Sequence, residues 1–102
     1  MIEEINEENF ENKIGNGLKL VEFYATWCVY CKKQRIELGN IENNEIWIGI
    51  VDGDESPKLI KKLKIEGYPT FILFKNGKEA ARFSGFHTKE QLLNKLMKLI
   101  NN

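Results

Sequence analysis

Two cysteines occur in this 102-residue chain, Cys28 and Cys31, within the run Trp27-Cys28-Val29-Tyr30-Cys31-Lys32. They follow an apolar stretch, Leu18 to Ala25, and open a stretch with helical patterning. Cysteines three apart at a helix start stack on one face of its first turn, and a disulfide can close there without stretching the backbone. The helix N-terminus carries about half a positive charge, which favours the thiolate of the first cysteine. Thiolate is the nucleophile of disulfide exchange, so the pair is a ready redox couple. The competing reading is half of a zinc site, which needs four ligands; among Cys and His donors only His87 could join the two thiols. No metal and no cofactor are therefore expected. Lys32, Lys33 and Arg35 follow the pair, either adding positive charge near it or forming a solvated helix face. Glu22 interrupts the apolar stretch. Burying a carboxylate there is costly and raises its proton affinity, which suits proton exchange near neutral pH; otherwise this glutamate reaches solvent at a strand end.

The elements that must position these groups alternate between strand and helix. Ile2 to Ile5 suggests a short strand, and Asn6 a cap for a helix with Glu7 and Glu8 in its first turn and Phe10 and Ile14 on one face, stopped by Gly15 and Gly17. Leu18 to Ala25 reads as a central strand covered on both faces, and Trp27 to about Leu38 as a helix ending near Gly39-Asn40. Ile46 to Asp52 is the next strand, with Ile46, Ile48 and Ile50 on one face and Trp47 and Val51 on the other; Trp47 is assigned to the core. Ser56-Pro57 starts a helix to about Lys64. Thr70 to Lys75 and Lys78 to Ser84 flank Asn76-Gly77, a strong hairpin signal. Thr88 and Gln91 make a capping box for a last helix whose apolar stripe is Leu92, Leu93, Leu96, Met97, Leu99 and Ile100. This order predicts an α/β fold, a mixed central sheet with helices on both faces.

Composition narrows the function. One domain over residues 1–102 is expected from the length. With 42% hydrophobic and 29% charged residues, the chain has an ordinary globular composition. Fifteen basic and fifteen acidic residues cancel, so nothing points to nucleic acid. No apolar run approaches the roughly 18 residues of a spanning helix, so no membrane role is expected. The acidic start, Met1 to Ile5, lacks the pattern of a secretory signal, which predicts a cytoplasmic protein. Two cysteines cannot make a disulfide framework, so their role is chemical.

Several motifs in order resemble the thioredoxin superfamily. Val21-Glu22-Phe23-Tyr24-Ala25-Thr26-Trp27-Cys28 with Cys31-Lys32 is similar to its active-site segment, closest to the catalytic domains of protein disulfide isomerases. Val51 to Pro57 resembles the segment between third strand and third helix, and Gly67-Tyr68-Pro69-Thr70 the loop facing the cysteines. Phe74-Lys75-Asn76-Gly77 and Gly85 match the hairpin and the glycine after it. The resemblance runs from about Ile5 to Ile100 and implies the thioredoxin fold. It also implies a thiol-disulfide oxidoreductase, with Cys28 the exposed attacking thiol and Cys31 the resolving one. Glu22 would lie beneath Cys31 and assist proton movement. Only about 5–6% of X-Pro bonds in folded proteins are cis, so sequence alone predicts trans at Pro69; the resemblance implies cis, with the Tyr68 backbone pairing with substrate peptide. Trp27, Val29 and Tyr30 would form an apolar rim for docking. Partners would be disulfide-containing protein substrates and a separate reductase or thiol donor, since no glycine-rich loop holds a dinucleotide, and the protein would act as a monomer.

The chain departs from the superfamily in four ways, one of them a segment between Cys31 and Asp54 that is a few residues short and implies a shorter second helix. Val29-Tyr30 replaces the usual Gly-Pro or Gly-His, and lack of a histidine at position 30 argues for a reducing role. Ile36 stands where many relatives have a helix-kinking proline. Ile50 stands where many place a lysine, leaving Glu22 without that partner and its proton affinity higher. Tyr30 before the second cysteine also allows a glutaredoxin-like, glutathione-dependent reductase. A non-catalytic peptide-binding module using the Tyr68-Pro69 groove fits the same residues, and so, less well, does a metal-handling protein.

Overall fold

The computed structural model describes residues 1–41 and 46–101. Its elements are β1 (Ile2–Glu4), α1 (Phe10–Ile14), β2 (Leu18–Tyr24), α2 (Val29–Gly39), β3 (Ile48–Asp52), α3 (Pro57–Leu63), β4 (Thr70–Lys75), β5 (Lys78–Ser84) and α4 (Lys89–Ile100). The strands make one sheet ordered β1-β3-β2-β4-β5. β3 runs parallel to β1 and β2, whereas β4 is antiparallel to both β2 and β5.

Alternation along β2 divides the core in two. Val21 and Phe23 join Phe10, Ile14, Val51, Leu59, Ile72 and Phe74 on the face covered by α1 and α3. Leu20 points the other way, packing with Leu38, Ile48, Ile50, Phe71, Leu92 and Leu96 under α2 and α4. Period-two geometry puts Glu22 in the same row as Leu20, toward the helix that carries the cysteines. Register sets Ile50 of β3 on one side of Glu22 and Phe71 of β4 on the other.

Local signals act largely as expected, with informative exceptions. Asn76 and Gly77 take φ of 50° and 84°, the positive pair that a two-residue hairpin requires. Thr88 and Gln91 form both bonds of the capping box. Asn6 does not start α1: its Oδ1 accepts from the amides of Glu8 and Asn9, closing a turn ahead of a helix that begins at Phe10. Ser56 makes no side-chain cap for α3; instead Glu7 Oε2 reaches across and accepts from the amides of Lys58 at 2.7 Å and Leu59 at 3.3 Å. Trp47 precedes β3 and is half-buried against the α1/α3 core, its Nε1 donating to Glu3 at 3.1 Å. The apolar stripe of α4 is narrower than expected. Leu92 and Leu96 are buried, but Met97 is exposed because it is turned about 100° from Leu96. Ile100, in the last turn, only edges over a groove shared with Leu18 and Ile46 and is also exposed.

Candidate active site

The cysteines lie where the chain leaves the end of β2 and enters α2. Cys28 is the N-cap of α2 rather than a helical residue: its backbone is extended, and its Sγ accepts from the amide of Cys31 at 3.2 Å. A sulfur therefore takes the place usually held by a Ser or Asp oxygen, meeting one of the orphan amides of the first turn. The Cys28 thiol also lies 3.7 Å from the Tyr68 carbonyl oxygen, to which it donates. Both cysteines are free thiols.

The expected exposure of Cys28 is corrected by the packing. Cys28 is 7% exposed against 4% for Cys31, because Ala25, Tyr24 and Tyr68 close around the pair. Burial pushes the Cys31 thiol up to about 12, the hydrogen bond with Cys28 adding to it while the Ala25 backbone pulls the other way. Cys31 thus holds its proton at neutral pH.

Glu22 is fully buried, which removes the reading of a glutamate reaching solvent. Neither of its carboxylate oxygens has a hydrogen-bond partner among the described residues. Burial raises its proton affinity, with an opposing pull from Arg35, and the balance falls at about 7. The carboxyl is close enough for its charge to push Cys31 further up. Ile50 is buried beside it in the register, so the cation near Glu22 comes from α2 rather than from β3.

Around the pair, Trp27, Val29 and Tyr30 are 66, 62 and 60% exposed, large apolar surfaces left in solvent beside Cys28. The indole of Trp27 is held by a bond from Nε1 to Asp54 Oδ2 at 2.9 Å and an edge contact with the Tyr68 ring at 5.9 Å. Tyr68 packs in turn against Gly53, where an added Cβ would collide with the phenol. The Tyr68-Pro69 peptide is cis, as the resemblance implies and contrary to the expectation from sequence alone.

The structure thus gathers Cys28, Cys31, Glu22, Trp27, Val29, Tyr30, Tyr68 and Pro69 at one end of the sheet. His87 is engaged elsewhere, stacked edge-on with Phe83 and with Nδ1 2.8 Å from the Gly85 carbonyl. Among the described residues no three His, Cys, Asp or Glu side chains come together as metal ligands. Also among them, no helix is long and apolar enough to cross a membrane.

Two contributors, Asp54 and Gln34, escape a reading by residue type, and a third, Arg35, stands in the sequence only as one of three cations after the pair. Asp54, which anchors Trp27, gives no local signal. Gln34 is fully buried, its amide donating to the His87 carbonyl at 2.8 Å and accepting from the His87 amide at 2.9 Å. Arg35 is no solvated cation like Lys32 and Lys33: it stacks on the Tyr24 ring at 4.8 Å, and its Nε is buried. Helical spacing is the signal that could have found the last two, since Gln34 and Arg35 lie three and four residues beyond Cys31 and so share its face.

Comparison with known proteins agrees with this geometry. A family model described as Thioredoxin matches residues 1–98. A thioredoxin of Chlamydia pneumoniae is 39% identical over 100 residues, covering 96% of this chain and 98% of that protein. Protein disulfide-isomerase 1 of Caenorhabditis elegans is 36% identical over 96 residues, covering 87% of this chain but 20% of that protein. Among solved structures, a mutant thioredoxin from Halobacterium salinarum superposes with a TM-score of 0.86 at 21% identity, over 96% of this chain and 89% of that one. A thioredoxin of Malassezia sympodialis gives 0.83 at 24% identity, over 96% and 90%. Two thiols one helical turn apart at the head of α2, on a sheet of this order, sit within a family match that spans nearly the whole chain: this protein belongs to the thioredoxin family.

Proposed function

We propose that this thiol-disulfide oxidoreductase works by direct thiol exchange at Cys28, with Cys31 as resolving thiol and Glu22 as proton acceptor. The Cys28 thiolate attacks one sulfur of a substrate disulfide; the substrate S–S bond breaks, one substrate thiolate leaves, and a mixed disulfide forms. Cys31 gives its proton to Glu22 and attacks Cys28 Sγ. The mixed disulfide breaks, the second substrate sulfur leaves as thiolate and takes up a proton, and a Cys28–Cys31 disulfide remains. Two electrons have passed to the substrate, and a separate reductase or thiol donor must return them.

The observation that carries this reading is the buried, unpartnered carboxyl of Glu22 on the sheet face beneath a thiol that burial keeps protonated. Glu22 titrates near neutrality, where a base is most effective. Trp27, Val29 and Tyr30 supply apolar contact for a loosely folded protein segment, and the backbone at Tyr68 and Pro69 supplies strand-like pairing. Burial of Cys28 selects substrates that can bring a disulfide down against it. The same reading makes the protein a monomer of the cytoplasm, where reducing conditions return such pairs to the dithiol form.

Cys31→Ser tests the order of attack. Incubated with a disulfide-containing peptide, this variant should accumulate a mixed disulfide on Cys28 by mass spectrometry, and Cys28→Ser should accumulate none. An adduct on Cys31 in Cys28→Ser would reverse the assignment. Turnover only with glutathione disulfides would favour the glutathione-dependent reading.

A further inference from the structure

Among the described residues, Arg35 is the cation whose charge reaches the Glu22 carboxyl, and its placement is more specific than a helix surface requires. It follows Cys31 by four residues on α2, so the two side chains lie along one helix face. Its guanidinium sits 4.8 Å over the ring of Tyr24, and Tyr24 is two residues from Glu22 on β2, in the same inward row. The Tyr24 hydroxyl donates to Glu4 Oε2 at 2.6 Å, which fixes the ring from its outer end. Arg35 is half-buried and bonded to the Tyr24 side chain, but its Nε is buried without a hydrogen-bond partner among the described residues, as are both Glu22 oxygens, so a cation and a carboxyl in one layer each keep unmet polar atoms. Such groups are costly unless they answer each other.

Resting on the reading of Glu22 as proton acceptor, we infer that Arg35 is a positioning residue for the reaction, the counter-charge that keeps the Glu22 carboxylate available to take the proton of Cys31. The other groups around Glu22 do not supply that charge. Ile50 on β3 and Phe71 on β4 are its uncharged cross-strand neighbours. Tyr24 and the two cysteines are neutral or anionic, His87 is edge-on behind Phe71 at 6.1 Å, and Glu4 and Asp52 act on Tyr24 with negative charge. Stacking on Tyr24 holds the half-buried cation against this layer, where its charge reaches inward.

Arg35→Met keeps most of the stem and removes the charge. Carboxyl titration of Glu22 by NMR should then move to higher pH by about one unit, the lower end of what a nearby opposite charge contributes. The pH profile for release of the mixed disulfide should move alkaline by the same amount, so that release near pH 7 slows by up to about tenfold for one unit. Arg35→Lys should restore most of both shifts. In a Glu22→Gln background, Arg35→Met should change the release rate no further. An unmoved Glu22 titration in Arg35→Met overturns the inference, as does a rate loss of equal size in the Glu22→Gln background. Should Arg35→Met not fold, Arg35→Gln gives the same readouts. The Glu22 reading fails separately: Glu22→Gln alone would then leave release unchanged, while the NMR titration still reports whether Arg35 acts on that carboxyl.

Discussion

Glu22 concentrates the electrostatic cost of this site in one side chain. Its carboxyl binds a proton more tightly in the folded chain, at about 7, than at its ordinary value of 4.5. Between those values the folded state holds more protons than the unfolded one, so stability falls as pH rises. The contribution of the neutral acid is fully present below about 4.5 and is lost as pH passes through about 7. From the interval between the two values, the loss is about 3 kcal/mol at most. Glu22→Gln should remove this slope, which denaturant unfolding from pH 4.5 to 8 would show as a flatter profile than the parent's. An equal slope in both proteins would mean that Glu22 is not the group titrating there. The same substitution should slow mixed-disulfide release by about 10²-fold, the low end of general-base contributions.

At the scale of elements, the site depends on long reaches between segments far apart in the chain. Glu7 caps α3 across 51 residues by accepting from two of its first-turn amides. Glu7→Ala should cost about 1 kcal/mol, read as a lower thermal midpoint with unchanged redox turnover. Gly53 leaves room for the Tyr68 phenol, which supports Trp27. Gly53→Ala should displace that ring and raise KM for protein disulfides more than for a small disulfide reagent; equal effects on both would separate Tyr68 from docking. Locality decided what was legible in the sequence. The Asn76-Gly77 hairpin and the Thr88-Gln91 box have their partners within three residues, and both formed as expected. The two-faced pattern of Ile48 and Ile50 against Val51 was equally plain, since alternation is a property of the strand itself. Glu7 on α3, Asp54 on Trp27 and Gln34 on His87 are not local, because each needs the sheet order before its partner can be named. Cys28 was legible as chemistry but not in its exposure, which the Tyr68 loop decides from 40 residues away.

As a whole, the molecule places its chemistry beyond the carboxyl ends of the parallel strands β2 and β3, where open α/β sheets build their sites. Cys28 follows β2, and Gly53 and Asp54 follow β3, so pairing of the two strands brings Trp27 to Asp54. Fifteen positive and fifteen negative side chains leave the chain with no formal net charge. Reduction of an uncharged disulfide peptide should therefore change by less than about threefold when ionic strength rises from low to physiological, checked by stopped-flow at fixed pH. All of this chemistry requires that Cys28 and Cys31 form a reversible couple. The most direct measurement is equilibration of the pure protein across glutathione redox buffers, with the dithiol and disulfide fractions read by mass spectrometry. A single transition changing tenfold for about every 30 mV, the slope of a two-electron couple, is predicted, and it should vanish in Cys28→Ser. Thiols that stay reduced across the whole range, or that end only as stable glutathione adducts, would contradict it.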